Sequence, residues 1–225
     1  MSTLSMETEK DRAAAEAYLQ LAAAADRFEQ YANPHAVRIA AIADEIAKAF
    51  HMAPQDRRLL RIAAYTHDLG EVAMEREYIH RAGSLTDEER LDLARHPVIG
   101  EQEAARVSAG RPVQLLVRWH HEWWNGCGYP DALRQNEIPL AARILRVADS
   151  YAALTDARPF RPAMTEEEAR EELIERAAIE FDPVVVTAFL AMDHIDALRS
   201  YAKAEEPVGQ PPAEDGFSIF SSFMR

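Results

Sequence analysis

The stretch RRLLRIAAYTHDLG, residues 57–70, decides how the chain folds. It follows a break at Pro54, reads as a helix, and reaches His67-Asp68 just before Gly70, a residue suited to a helix C-terminus. The rest of the chain has the same character. Glycine is scarce, with 8 in 225 residues, while Ala, Glu, Leu and Arg are abundant, so helix is favoured almost throughout. Val and Ile never gather into alternating runs of strand length. An all-α protein is expected, and a 48% hydrophobic composition suffices for one packed domain with modest extensions.

Upstream of this stretch, residues from about Thr8 to Tyr31 read as one helix. Ala14, Tyr18, Leu21, Ala25 and Phe28 form a narrow seam along it. That seam suits packing on the helix's own domain, and a homodimer through a short coiled coil is the alternative. Asn33-Pro34 breaks this helix and starts another, through His35, Ile39, Ile42, Ile46 and Phe50. Downstream, Glu71 to Ser84 reads as an irregular loop. Thr86 and Glu89 form a capping box for a helix ending near His96-Pro97.

A short helix follows Pro97, and another after Gly110-Arg111-Pro112 carries QLLVRWHHEWW. The segment NGCGYPDALRQNEIP has the Gly, Asn and Pro density of a long ordered loop. Pro139 opens a long helix through Asp149 to about Thr155; Thr165 with Glu168 caps another, and Asp182-Pro183 starts a last one. The organisation is an N-terminal helical extension over 1–31, a domain over 32–204 and a flexible tail over 205–225. The tail carries Phe217, Phe220 and Phe223, for docking on this domain or on a partner.

A net charge of −13 without a long basic block excludes binding to a DNA or RNA backbone, but not to a small anion whose site holds metal ions. The single Cys127 forms no internal disulfide and fits a reducing cytoplasm. The start, MSTLSMETEKD, is acidic where a signal peptide would be basic and apolar, and no apolar stretch approaches the ~20 residues of a membrane span. A soluble, cytoplasmic protein without membrane insertion is expected.

His35, His67, His96, His120 and His121 each fall at or near a helix end, and Asp68 and Asp149 join them. His51, His80 and His194 read as ordinary core or surface residues. Imidazole with carboxylate suits Fe, Mn, Zn or Ni, whereas Mg and Ca prefer oxygen. Adjacent His67-Asp68 can supply one terminal nitrogen and one carboxylate able to bridge two metals. Neighbours such as His120-His121 diverge by ~100° on a helix, so both reach one metal only near the helix end that Asn125-Gly126 supplies. Two metals roughly 3.5–4 Å apart clamp the attacking and leaving oxygens of an in-line phosphoryl displacement, with a bound water as nucleophile. Cys127 is then a small loop residue.

His35, then His67-Asp68 in AAYTHDLG, resemble the HD superfamily of metal-dependent phosphohydrolases. RHPVIG, HHEWWNGCGYP and IPLAARILRVADSYAALTDARPFR resemble its HD-GYP subgroup, over about Ala32 to Met192. The resemblance implies a single HD-type helical domain and a phosphodiesterase acting on cyclic di-GMP, giving the linear dinucleotide or GMP. It implies two divalent metal ions, Fe or Mn, one held by His35, His67, Asp68 and Asp149. Asp68, His96, His120 and His121 would hold the other, so that Asp68 bridges and acts with His67 in catalysis. Arg158 and Arg161 would contact phosphate. Gly128-Tyr129-Pro130 would line the cleft, with Tyr129 facing substrate, or dock a partner protein.

The family pattern has Lys where this chain has Glu71, so that the substrate side carries the opposite charge. It also has Asp at the positions of Asn125 and Ala152, Gly at those of Ala132 and Gln135, and in some members a third-metal Glu at that of Tyr31. Glu122 is a candidate to protonate the leaving oxygen. The alternatives are an HD-type hydrolase of another nucleotide, or a catalytically silent module that binds metal and nucleotide.

Overall fold

Proline and capping residues set where each helix begins. The computed structural model describes residues 3–79, 81, 83–158 and 162–192, which form ten α-helices, two 3-10 turns and no strand. In chain order the helices are α1 (Thr3–Phe28), α2 (His35–Ala49), α3 (Pro54–Thr66), α4 (Leu69–Met74) and α5 (Asp87–Leu93). They continue with α6 (His96–Arg106), α7 (Arg111–Trp119), α8 (Leu140–Thr155), α9 (Glu166–Glu175) and α10 (Pro183–Leu190). Proline occupies the first turn of α3, α6, α7 and α10, where its missing N–H leaves no intrahelical bond unmade. The capping boxes at Thr86/Glu89 and Thr165/Glu168 are both formed.

The core lies where α2, α3, α7 and α8 face one another. Ile39, Ile42 and Ile46 of α2 recur every three or four residues on one face and are fully buried against Leu60 and Ala63 of α3 and Ile144 and Tyr151 of α8. Each such side chain contributes roughly 1.5–3 kcal/mol on burial. α1 joins this body through Leu21 and Ala25, which are buried, and Tyr18, which packs against the core; Ala14 is exposed. Asp26 of α1 also caps its neighbour. Its carboxylate accepts the Ala36 N–H at 3.1 Å, serving an α2 N-terminus that has no side-chain cap of its own. No helix among the described residues is long and apolar enough to cross a membrane.

Two local expectations need correcting. The helix carrying His67 stops at Thr66, and Gly70 lies inside α4 instead of ending α3. The stretch from Glu71 is therefore not all loop: it completes α4, which ends at Glu75 in the left-handed region (φ 50°), and a 3-10 turn follows over Glu77–Ile79. Packing against α6 supplies what local signals lack, and Gly70 permits it. A Cβ at that position would lie 2.0 Å from the His96 carbonyl oxygen. Ala132 and Gln135, which stand where the family pattern has glycine, hold φ of 53° and 49°. His51 is exposed, whereas His80, His194 and the tail from residue 205 lie outside the described residues.

Gly70→Ala should push α6 away from α4 and carry His96 with it. A loss of about 1–3 kcal/mol is expected, lowering the midpoint by roughly 2–4 °C per kcal/mol in a thermal melt. An unchanged midpoint would mean that the two helices separate freely.

Candidate metal centre

Five helix ends converge on one cleft, and each brings a histidine or aspartate. His67 caps α3, and its Nδ1–H donates back to the Ala64 carbonyl at 2.8 Å. His120 caps α7 and donates to the Val117 carbonyl at 2.6 Å; His96, at the α5–α6 turn, donates to Leu93 at 2.8 Å. A histidine just past a helix finds these last carbonyls without intrahelical partners. Using Nδ1–H in this way turns each Nε2 into the cleft. His35 opens α2 and donates Nδ1–H to Asp156 Oδ2 at 2.9 Å, while Arg38 holds the other Asp156 oxygen at 2.8 Å. Sequence reasoning missed Asp156: nothing in its spacing shows that it faces His35 across the fold.

The nitrogens and carboxylates form two groups. His35, His67 and Asp149 make one; Asp68, His96, His120 and His121 make the other, with ligand atoms within 4.8 Å of one another in each. Asp68 lies between them. Its Oδ2 is 2.8 Å from His67 Nε2, and its Oδ1 is 3.5 Å from His96 Nε2 and 3.6 Å from His120 Nε2. His35 Nε2 and His67 Nε2 lie buried 3.7 and 3.9 Å from Asp149 Oδ1, and His35 Nε2 makes no hydrogen bond. His96 Nε2 and His120 Nε2 face each other at 3.2 Å. Because both rings donate through Nδ1, their neutral forms aim two lone pairs at one point, which a shared cation relieves. The donor set fits divalent first-row metals.

Charge divides the two groups. Burial opposes a proton on His67, yet the Asp68 and Asp149 carboxylates lift its pKa to about 10. Burial, aided by His120, lowers His96 to about 4, and burial with His120 and Arg146 holds His121 well below the ordinary value. Asp149 resists its own burial and sits at about 2 beside His35 and His67. Burial and the Asp68 carboxylate push Glu71 up to about 8. His96 and His121 are thus ready as neutral ligands, whereas His67 must lose a proton first.

The cleft of about 290 Å³ places Glu71, Asp68, Asp149, His121 and Arg158 along one wall system. Arg158 donates to Glu29 at 2.7 Å and lies 4.0 Å over the Tyr31 ring, which is itself stacked on His35 at 3.7 Å. Arg161 lies outside the described residues. Tyr129 stacks on His121 at 4.9 Å. Gly128 is required there by space, since a Cβ would fall 2.2 Å from the Trp123 nitrogen. Glu122 is buried, and its two oxygens accept the Asp131 and Leu133 N–H groups at 2.7 and 2.9 Å. Both oxygens are thus engaged in holding the loop, while burial raises the pKa of this carboxyl.

Glu29, Arg146, Arg176 and Glu180 also line the cleft and were not foreseen. Of these only Arg146 carried a visible signal, standing one helical turn before Asp149 on α8. In all, six carboxylates face three arginines across this cleft, so added positive charge is needed before a phosphate anion is attracted.

The His67 shift has a defined sign. An ordinary histidine loses its proton near 6.5, and folded, metal-free His67 near 10, so its stabilising effect is full below about 6.5 and gone above about 10. Metal uptake must expel that proton at neutral pH. Mn(II) added to metal-free protein in weak buffer at about pH 7.5 should therefore release protons, and His67→Gln should release about one fewer. Uptake without proton release would defeat this assignment.

The family model of the HD domain matches residues 19–185. A cyclic di-GMP phosphodiesterase response regulator of Xanthomonas campestris pv. campestris is 35% identical over 176 residues, covering 77% of this chain and 44% of that protein. A cyclic di-GMP phosphodiesterase of Vibrio cholerae is 33% identical over 192 residues, covering 79% and 39%. The chain thus spans less than half the length of these relatives. The crystal structure of a cyclic GMP-AMP specific phosphodiesterase of Vibrio cholerae shares the fold, with a TM-score of 0.63 at 18% identity over 84% of this chain and 51% of that one. With a match running from within α1 into α10 and a paired histidine–aspartate centre at its middle, the chain belongs to the HD domain family.

Proposed function

We propose that this chain is a metal-dependent phosphodiesterase that hydrolyses cyclic di-GMP to the linear dinucleotide or GMP. The observation that carries the reading is Asp68, one oxygen against each of two groups of buried imidazoles. Two divalent ions, iron or manganese, would be held by His35, His67, Asp68 and Asp149 on one side and by Asp68, His96, His120 and His121 on the other. When bound, such a pair supplies an activated water and neutralises charge on the phosphoryl oxygens.

The chain's own groups do the rest. The Ala64 carbonyl and the Asp156 carboxylate hold the His67 and His35 rings through their Nδ1–H groups. Arg158, with Arg161, receives phosphate once its bond to Glu29 opens. Tyr129 enters through His121, whose ring it braces. The relatives named for cyclic di-GMP support this substrate.

A second reading, hydrolysis of a different cyclic dinucleotide, is favoured by Glu71. It lies on the cleft wall where the family pattern has Lys, and the fold-level neighbour is specific for cyclic GMP-AMP. Both substrates therefore belong in the test. Anaerobic protein loaded with Fe(II) or Mn(II) should convert cyclic di-GMP to product resolved by chromatography, and Asp68→Ala should lose on the order of 10²–10³-fold or more in rate. Wild-type protein that holds metal but leaves both dinucleotides intact would overturn the assignment. Glu71→Lys should lower the Michaelis constant about three- to tenfold, the effect of roughly 1 kcal/mol. An unchanged constant would show that this side chain does not meet the substrate phosphate.

A further inference from the structure

The cleft also holds a second cationic feature, which the proposed metal centre does not use. Glu180 lies in the turn between α9 and α10, with a side chain only 4% exposed. It accepts Nη2 of Arg146 on one oxygen and Nη1 of Arg176, at 3.0 Å, on the other. Glu172 receives Nε of Arg176 at 2.6 Å. The turn is itself fixed, because the Trp124 and Asn125 N–H groups donate to the Glu180 and Ile179 carbonyls, both at 3.0 Å. One buried carboxylate thus holds two guanidiniums in register along the cleft wall.

Arg146 links this pair to the metal-binding residues. Its Nη1 is 3.0 Å from His121 Nδ1 and 3.4 Å from Asp149 Oδ2. A neutral His121 that gives a nitrogen to a metal cannot also accept from Arg146. Either Nδ1 is taken, or Nδ1 carries the proton that frees Nε2. Arg146 Nη1 then loses that partner and keeps only the longer contact to Asp149 Oδ2, while Nη2 stays anchored on Glu180. Arg176 also lines the cleft, and its side chain is half exposed, against 14% for Arg146.

We propose that Arg146 and Arg176, clamped by Glu180, form the subsite for the second, non-scissile phosphate of a cyclic dinucleotide. The inference rests on the phosphodiesterase reading above. A cyclic dinucleotide carries its two phosphates on opposite sides of one macrocycle, so a scissile phosphate beside Asp68 requires a second anion site further along the cleft. Planar paired donors are suited to that phosphate. Without it the ring would be held by one phosphate and its bases alone.

The test compares two substrates on metal-loaded full chain: cyclic di-GMP, with two phosphates, and bis(p-nitrophenyl) phosphate, with one. Arg176→Ala should raise the Michaelis constant for the dinucleotide about tenfold, the scale of one charge-assisted hydrogen bond. Equilibrium binding of a phosphorothioate cyclic dinucleotide should weaken by the same factor. Turnover of the single-phosphate ester and the metal content should not change. Arg146→Lys, which keeps the charge but loses the paired donors, should weaken binding of the phosphorothioate dinucleotide by a similar factor. Equal losses on both substrates, or a fall in metal content, would make the pair a support for His121 and overturn the subsite. An unchanged constant for the dinucleotide would overturn it as well. Wild-type protein that cleaves the ester but no cyclic dinucleotide would instead sink the substrate reading, and the subsite with it.

Discussion

The structure depends on a set of buried polar groups crowded together by the packing of the helices around them. Four imidazoles and two aspartates are buried at the meeting point of α2, α3, α6, α7 and α8, with two Nε2 lone pairs 3.2 Å apart. Such a group does not assemble from its own attractions. It is imposed by helices that are packed elsewhere, through Ile39, Ile42 and Ile46 on α2 and Val117 on α7, and that end at the right places. The energy of the apolar core maintains the polarity of the cleft.

That arrangement explains why the histidines of the proposed centre stand at helix ends and not on helix faces, whereas Asp149 lies inside α8. Mid-helix, Nδ1–H would find every nearby carbonyl already bonded. At a C-terminus it finds one free three residues back, and the bond fixes both ring orientation and tautomer. His67, His96 and His120 repeat this solution, while His35, at an N-terminus with no carbonyl to spare, borrows Asp156 instead. The order of these residues in the chain was legible because each stands beside a helix break that composition reveals. Asp156 and Glu29 were not, because a carboxylate buried by a distant partner looks in sequence like any solvated one. The same blindness applies to α4: its six residues carry no cap, and only Gly70 against the His96 carbonyl shows why a helix is there.

The seam along α1 was open to two uses, and the described structure spends its C-terminal half on this domain. The consequence reaches the cleft. Asp26 caps α2 beside His35, Tyr31 stacks on that same ring, and Glu29 takes the guanidinium of Arg158. A helix that sequence separates as an extension therefore furnishes one wall of the centre. A displacement of α1 along its axis would act on a proposed ligand, its stacking partner and a proposed phosphate contact together.

The balance of charge ties these points together. Each arginine on the cleft wall is matched by an acid: Arg158 by Glu29, Arg146 by Glu180, Arg176 by Glu172 and Glu180. The remaining carboxylates, Asp68, Asp149 and Glu71, then stand in excess, and protons on His67 and Glu71 partly offset them in the metal-free protein. Divalent cations would displace those protons and reverse the sign of the field at the same atoms. The restraint is physical: each arginine lining the cleft is paired with an acid, so under the proposed function affinity for nucleotide and loading with metal would rise together.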